Sequence, residues 1–398
     1  MLDRREFLAI TAALAARPAT GAIPDPIAEY DRQGIHRTGT AVDQASAEWL
    51  AREVHARGLT PKLEPFPVSR VDPGTCFIEA GGRRVEGVPM FNGTFTDAAG
   101  VRGQIGQVGG DATRDEAAIG WLELAPNGEG QEIAEVRRSG KHRAIIVVTK
   151  GGTPGLSLIN CPGFRHPFGP PVLQIPSQEA DWMRQLASAK TEGTVVAQVK
   201  RTEVEALNVT AVQKGENSSL PPVVVMTPRS GWWHCASERG GGIACWLEVM
   251  SQVRDPARDF IYIASSGHEL GHLGLEAFIG KNPKLISQAR AWIHFGANIG
   301  AATGPMGTLQ ASDAAMQSIA LRELDAAGLK VNRRPLGQAP NGEAGNIHRG
   351  GGKYMSMIGG NDLFHNPLDR WPGAVNSEAL TGFAKAFARA AVVLGQAG

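Results

Sequence analysis

Three stretches of this chain set its fold: Val223-Val224-Val225-Met226, Gly240-Gly241-Gly242-Ile243-Ala244-Cys245-Trp246-Leu247-Glu248, and Ile261-Tyr262-Ile263-Ala264-Ser265-Ser266-Gly267-His268-Glu269-Leu270-Gly271. The first and third open on short apolar runs rich in β-branched residues and are followed by turn-forming residues, the pattern of strands buried on both faces. Between them, residues 241–253 predict a helix. Strands alternating with helices in this way mean an α/β sheet layered between helices. The alternation continues with a helix over 270–278, a strand over 292–295, a helix over 314–327, a strand over 354–358 and a final helix over 377–394. Upstream, Ala47, Leu50, Ala51 and Val54 follow helical spacing within 45–58, Gly58 suits the helix end, and a strand follows near 62–68.

Residues 72–203 have a different character. Short apolar runs at 103–109, 144–148 and 171–176 alternate with glycines, with helical segments at 133–139 and 177–186. At 398 residues the chain is long for one domain. The expected division is an α/β domain from 23–71 and 204–398, interrupted by a β-rich insert over 72–203. Hydrophobic content of 42% with 20% charged residues is that of a globular protein, and a net charge of +1 gives no basis for a nucleic-acid partner.

The N-terminus reads as a targeting segment. Arg4-Arg5-Glu6-Phe7-Leu8 leads into an apolar run over 8–16, and Thr20-Gly21-Ala22 offers a small-residue cleavage site. This pattern predicts a twin-arginine signal over 1–22, a periplasmic or secreted location, and no membrane association after cleavage; the run is too short to span a bilayer. Four cysteines, Cys76, Cys161, Cys235 and Cys245, allow three pairings, and none has C-x-x-C spacing. His36, His55 and His142 read as surface residues.

The three opening stretches resemble the family of di-zinc exopeptidases that includes the zinc aminopeptidases, glutamate carboxypeptidase II, glutaminyl cyclases and the transferrin receptor. Arg37-Thr38-Gly39-Thr40 ahead of the first helix and Asn208-Val209-Thr210-Ala211 add to the likeness. By position, 72–203 resembles the protease-associated insert of such peptidases. The resemblance implies an aminopeptidase-like central mixed sheet between helix layers, with metal ligands near the carboxyl ends of its strands. Carried over residue by residue, Thr227 stands where a His ligand belongs and Arg229 where its supporting Asp belongs. Ser237 takes the bridging Asp position in Cys235-Ala236-Ser237-Glu238-Arg239-Gly240. Glu269 keeps the metal-binding Glu, while His268 replaces the general base. The strand ending Phe295-Gly296-Ala297-Asn298 has no carboxylate, and Phe364-His365-Asn366-Pro367-Leu368-Asp369 keeps His365.

Two of five ligands survive, short of the three that a catalytic zinc requires. Three readings of the remaining residues stay open. One is a single metal on Glu269, His365 and a further histidine, His234 or His268. Another takes His268-Glu269-Leu270-Gly271-His272 as an H-E-x-x-H motif, although Gly271 disfavours the helix this needs. The third is metal-free chemistry, with Ser237, His365 and Glu269 as a nucleophile system and His268 as the alternative base. Arg229, Arg239, His234, Glu238, Asn298 and Trp233 are the expected substrate-binding residues, and Cys235 is a further candidate nucleophile. The sequence thus predicts an exported hydrolase-like protein that acts on a small amide- or peptide-type substrate with no cofactor or one zinc. The alternatives are a metal-free lyase or transferase and a non-catalytic binding protein on the same scaffold.

Overall fold

The computed structural model describes residues 22–23, 25–108, 117–126 and 131–396. The expected signal lies outside them except for Ala22. Helix α1 (Asp25–Gln33) and helix α2 (Ala41–Ala56) precede a long antiparallel ribbon of β1 (Lys62–Ala80) and β2 (Glu192–Gln213). Then follow β3 (Val223–Pro228), α3 (Gly240–Gln252), β4 (Phe260–Ser265), α4 (Leu273–Lys281) and β5 (Ala291–Phe295). The chain closes with β6 (Thr308–Ala311), α5 (Ala314–Ala326), β7 (Tyr354–Ile358) and α6 (Ser377–Gly395). Helix α2 starts earlier than its apolar spacing predicts because the Thr40 hydroxyl accepts from Asp43 N at 3.2 Å and caps it.

The main sheet has the order β6-β7-β5-β3-β4-β2-β1. Strands β7, β5, β3 and β4 run parallel, and β6 and β2 pair antiparallel at the flanks. Alternate side chains cover both faces. Val223 and Val225 face α3 and α6 in one apolar cluster, and Val224 and Met226 face Leu275 and Phe278 of α4 in another. Burial on both faces explains why β3 is a continuous apolar run. The glycine run at the start of α3 lets the helix pack against the loop after β5, since a Cβ on Gly241 would stand 2.0 Å from Ile299 O. All four parallel strands end at one edge of the sheet, and the order switches beside β3, where a crevice opens between the outgoing loops.

The expected insert boundaries at 72 and 203 fall inside β1 and β2, which stay paired from Lys62–Thr210 to Ala80–Gly193. Residues on both sides of the expected boundary at 203 therefore belong to one continuous strand. The smaller lobe hangs on this ribbon and adds strands Val101–Gln107, Ile119–Leu124, Ala144–Thr149 and Val172–Ile175 alongside. It shares an apolar cluster with the main lobe, in which Phe91 and Cys161 pack with Trp232, Leu270 and Leu273.

The N-terminal segment is tied in by polar groups. Arg229 is buried and pairs with Asp43 at 2.8 Å, while Asp43 also accepts from Gly39 N and the Ser266 hydroxyl. His36, read from the sequence as exposed, is buried and stacks on Tyr30 with centroids 3.7 Å apart. His142 is buried too, facing Ala117 O at 2.7 Å, while His55 is exposed. A neutral imidazole has an apolar face and can be buried once one ring nitrogen is hydrogen-bonded, which sequence context does not reveal. Burial lowers His36 to about 3, against the pull of the Tyr30 carbonyl. Because its pKa is lower in the fold than in the unfolded chain, stability should fall as pH drops through about 6.5 and level off near 3. His36→Phe, which keeps the stack, is expected to flatten urea unfolding midpoints across that window; the histidine term is at most about 1.4 kcal/mol per pH unit.

Candidate active site

The loop after β3 doubles back so that Glu238 and Arg239 lie under the loops after β4 and β7. Arg239 Nη2 contacts Glu238 Oε1 at 2.9 Å and Glu269 Oε1 at 3.0 Å. Its Nε donates to Ser230 O at 2.7 Å, and the Ser230 hydroxyl donates to Glu269 Oε2 at 2.8 Å. His365 Nε2 faces Glu238 Oε1 at 3.3 Å, and His365 Nδ1 is 2.6 Å from Leu158 O of the smaller lobe. These side chains are buried. Burial raises Glu238, but the charges of His365 and Arg239 outweigh it and hold the carboxyl down to about 2. At Glu269 burial wins over Arg239, and its pKa is raised. Burial opposes the charge on Arg239, yet the two glutamates raise its pKa further.

Beside this cluster a cleft of about 580 Å³ opens between the loops after β4, β5 and β7. Its polar lining is Asn160, His268, His272, Asn298, Asn341 and Asn361, and among the described residues no Lys, Arg, Asp or Glu lines its wall. His268 Nδ1 lies 3.4 Å from Glu343 Oε1, which also accepts from the Ser265 hydroxyl at 2.7 Å. The His268 ring stacks on His272, whose Nδ1 lies 2.8 Å from Asn346 Oδ1. Burial, then Arg239 and His272, lowers His268 well below its ordinary value, so its ring is neutral at pH 7. Burial also lowers His294, to about 3, despite the nearby Glu343. Cys235, His272, Asn298 and His365 all have φ between 55° and 66°. Such backbone is costly for non-glycine residues and gathers at functional sites.

No known family profile matches the sequence, and no curated protein matches it. Solved structures do. A zinc aminopeptidase from Bacillus subtilis aligns over 96% of this chain and 97% of its own at 15% identity, with a TM-score of 0.77. An M28 peptidase precursor from Shewanella amazonensis aligns over 98% and 97% at 16% identity, with a TM-score of 0.76. The fold is that of the zinc aminopeptidases. A glutaminyl cyclase from Porphyromonas gingivalis is a more distant likeness, with 10% identity, 93% and 96% coverage and a TM-score of 0.51.

Within the aminopeptidase fold, the site departs from several sequence expectations. Glu238, not Ser237, reaches the place where Glu269 and His365 converge. Ser237 points the other way: its hydroxyl donates to Asp369 Oδ1 at 2.8 Å and accepts from Asn361 at 2.9 Å. Both nitrogens of His365 face other atoms, so Ser237, His365 and Glu269 do not form a nucleophile system. Arg229 is committed to Asp43 and lies outside the cleft. The pKa of His234 is lowered by burial and then by Arg370, and among the described residues His234 belongs to no group of three or more His, Cys, Asp or Glu placed to hold a metal. Trp233 donates from Nε1 to His365 O at 2.8 Å and so supports the His365 loop. Asn298, as expected, lines the cleft.

The H-E-x-x-H reading fails on backbone geometry. Only His268–Leu270 makes a short 3-10 turn, and Gly267, Gly271 and His272 all have positive φ. Glu269 turns to Arg239, away from the stacked rings of His268 and His272, so the glutamate does not face the two histidines. All four cysteines are buried, and none is in a disulfide. Burial and Glu238 raise Cys235 well above its ordinary value, which removes it as a thiolate nucleophile. Among the described residues, no group of three or more His, Cys, Asp or Glu is placed to hold a metal. The reason lies in the donor set: Glu238 and Glu269 already share a guanidinium, and a dication beside it would face like charge at contact distance. The residues as arranged do not fit a resident zinc.

Sequence reading missed Glu343, which stands at a helix start in a turn-like Pro-Asn-Gly-Glu run, and Asp369, which accepts from Ser237 N and Glu238 N at 2.9 Å. Asp369 fixes the loop that aims Glu238. Its removal should leave three buried donors unpaired and lower stability by about 3 kcal/mol or more in Asp369→Ala. Ser237→Ala should cost about 1 kcal/mol, as judged by urea unfolding.

Proposed function

We propose that the protein is a hydrolase-like enzyme that cleaves an amide-type bond in a small uncharged substrate, with His268 rather than a metal-bound water as the proton-handling centre. The observation that carries this reading is the His268–Glu343 pair opening into a cleft with no charged wall. With Nδ1–H directed at Glu343, the neutral ring of His268 keeps Nε2 as its accepting atom, so it can draw a proton from an attacking water and return it to the leaving amine. Glu343 is a positioning residue, holding the tautomer and balancing the charge that forms on the ring. Asn298 Oδ1 accepts from Asn361 at 3.1 Å, which leaves Asn298 Nδ2 for a substrate carbonyl oxygen. The uncharged wall favours a substrate without a free ammonium or carboxylate, since a buried charge with no partner is expensive.

The test is release of p-nitroaniline from N-acylated and free-amine amino-acid anilides in the presence of chelator. His268→Ala is expected to lower kcat/KM by about 10²–10⁴-fold and Glu343→Gln by less. Because burial and Arg239 depress His268, the acid limb of the rate profile should lie below pH 6.5. Turnover that requires added zinc, or that survives in His268→Ala, sinks the reading. Absence of turnover throughout, with anilide binding intact in His268→Ala, supports the binding-protein alternative instead.

We also infer export. No helix among the described residues is long and apolar enough to cross a membrane, and the paired arginines at 4 and 5 are those a twin-arginine signal needs. Replacing Arg4 and Arg5 with lysine should leave an uncleaved protein in the cytoplasmic fraction, and normal processing of that variant would refute it.

A further inference from the structure

The guanidinium of Arg239 stands among donors that would otherwise suit a metal. Its Nη2 is 2.9 Å from Glu238 Oε1 and 3.0 Å from Glu269 Oε1. His365 Nε2 and Glu238 Oε1 lie 3.3 Å apart. Two donors bound to zinc at its usual distance in a tetrahedron are about 3.3 Å apart as well. The carboxylates are set too wide, since a zinc–oxygen bond is roughly 0.9 Å shorter than the contacts to Nη2. One guanidinium thus serves two carboxylates, and the directional bonds around it are incomplete. Arg239 Nη1, Glu238 Oε1 and His365 Nε2 are all buried and lack a well-aligned hydrogen bond. A side chain evolved only to brace this loop would normally have its buried donors satisfied.

We propose that Arg239 is a tethered cation occupying a latent divalent-metal site made by Glu238, Glu269 and His365. The wild-type chain excludes the ion because one positive group already holds both carboxylates apart. Take the guanidinium away and two buried carboxylates face each other with His365 beside them. Closing on a dication is then the way to keep both charged. Cation and guanidinium are mutually exclusive occupants. This proposal concerns the buried cluster and is independent of turnover at His268.

The experiment is zinc content and thermal unfolding of the mature protein after chelator treatment, zinc addition and removal of excess. Wild type should hold no more zinc than Glu269→Gln, and zinc should not shift its unfolding. Arg239→Ala should retain about one zinc per chain, unfold at a higher temperature with zinc than without, and lose both properties when Glu269→Gln or His365→Ala is added. Arg239→Met, which keeps the bulk of the stem, should gain zinc more weakly, and Arg239→Lys should exclude it as wild type does. If Arg239→Ala folds only with zinc present, the proposal stands. Wild-type zinc lost in Glu269→Gln overturns it. So does a folded Arg239→Ala or Arg239→Met that takes none, or failure of both to fold with or without zinc while Arg239→Lys folds.

Discussion

Two carboxyl groups, Glu238 and Glu269, are buried under the loops at the carboxyl edge of the sheet, and a cation between them offsets the cost of charge there. Arg239 supplies it. Removing one partner from a buried ion pair costs several kcal/mol, far more than such a pair contributes relative to well-packed apolar residues. The arrangement is therefore rigid in consequence even though it is not a source of great stability. The loop after β3 must fold back on Asp369, Ser230 must aim its hydroxyl at Glu269, and His365 must sit against Glu238. Each requirement fixes a different loop, and the cleft is the space those loops leave.

The smaller lobe takes part in this. Leu158 O fixes His365, Cys161 N donates to Glu269 O at 2.7 Å, and Asn160 accepts from Trp232. One loop of the lobe thus roofs the cluster and also supplies Asn160 to the cleft wall. Because the lobe is carried on the unbroken β1–β2 ribbon, its position is set by hydrogen bonds in register rather than by a linker. A change in ribbon register of one residue would turn every side chain to the other face and misplace the roof.

Backbone strain is concentrated where the two halves meet. Asn298 and His272 line the cleft with left-handed backbone, and His365 and Cys235 flank the cluster in the same conformation. Each costs on the order of 1–3 kcal/mol and persists because surrounding contacts over-determine it. The neutral histidines follow from the same crowding. Burial and Arg239 keep His268 deprotonated, so the guanidinium that joins the two glutamates also tunes the neighbouring ring.

The sequence by itself determined the layers: β-branched runs at β3 and β4, helical spacing in α2 and α3, and glycines where α3 meets β5 are local signals that local physics reads correctly. It also marked Glu269, His268 and His365 as residues of one site. It could not decide which way each side chain turns. Ser237 and Glu238 are adjacent, and one residue of register decides which faces Asp369 and which faces His365. Arg229 and Arg239 are the same residue type on one loop, yet one is spent on Asp43 and the other joins two glutamates. His268 and Glu269 part company because the backbone between Gly267 and His272 leaves the helical region. Glu343 and Asp369 are distant in sequence from the groups they hold. Those choices rest on charge neutralisation in a buried space, which exists only once the loops after β3, β4, β5 and β7 have been brought to the same edge.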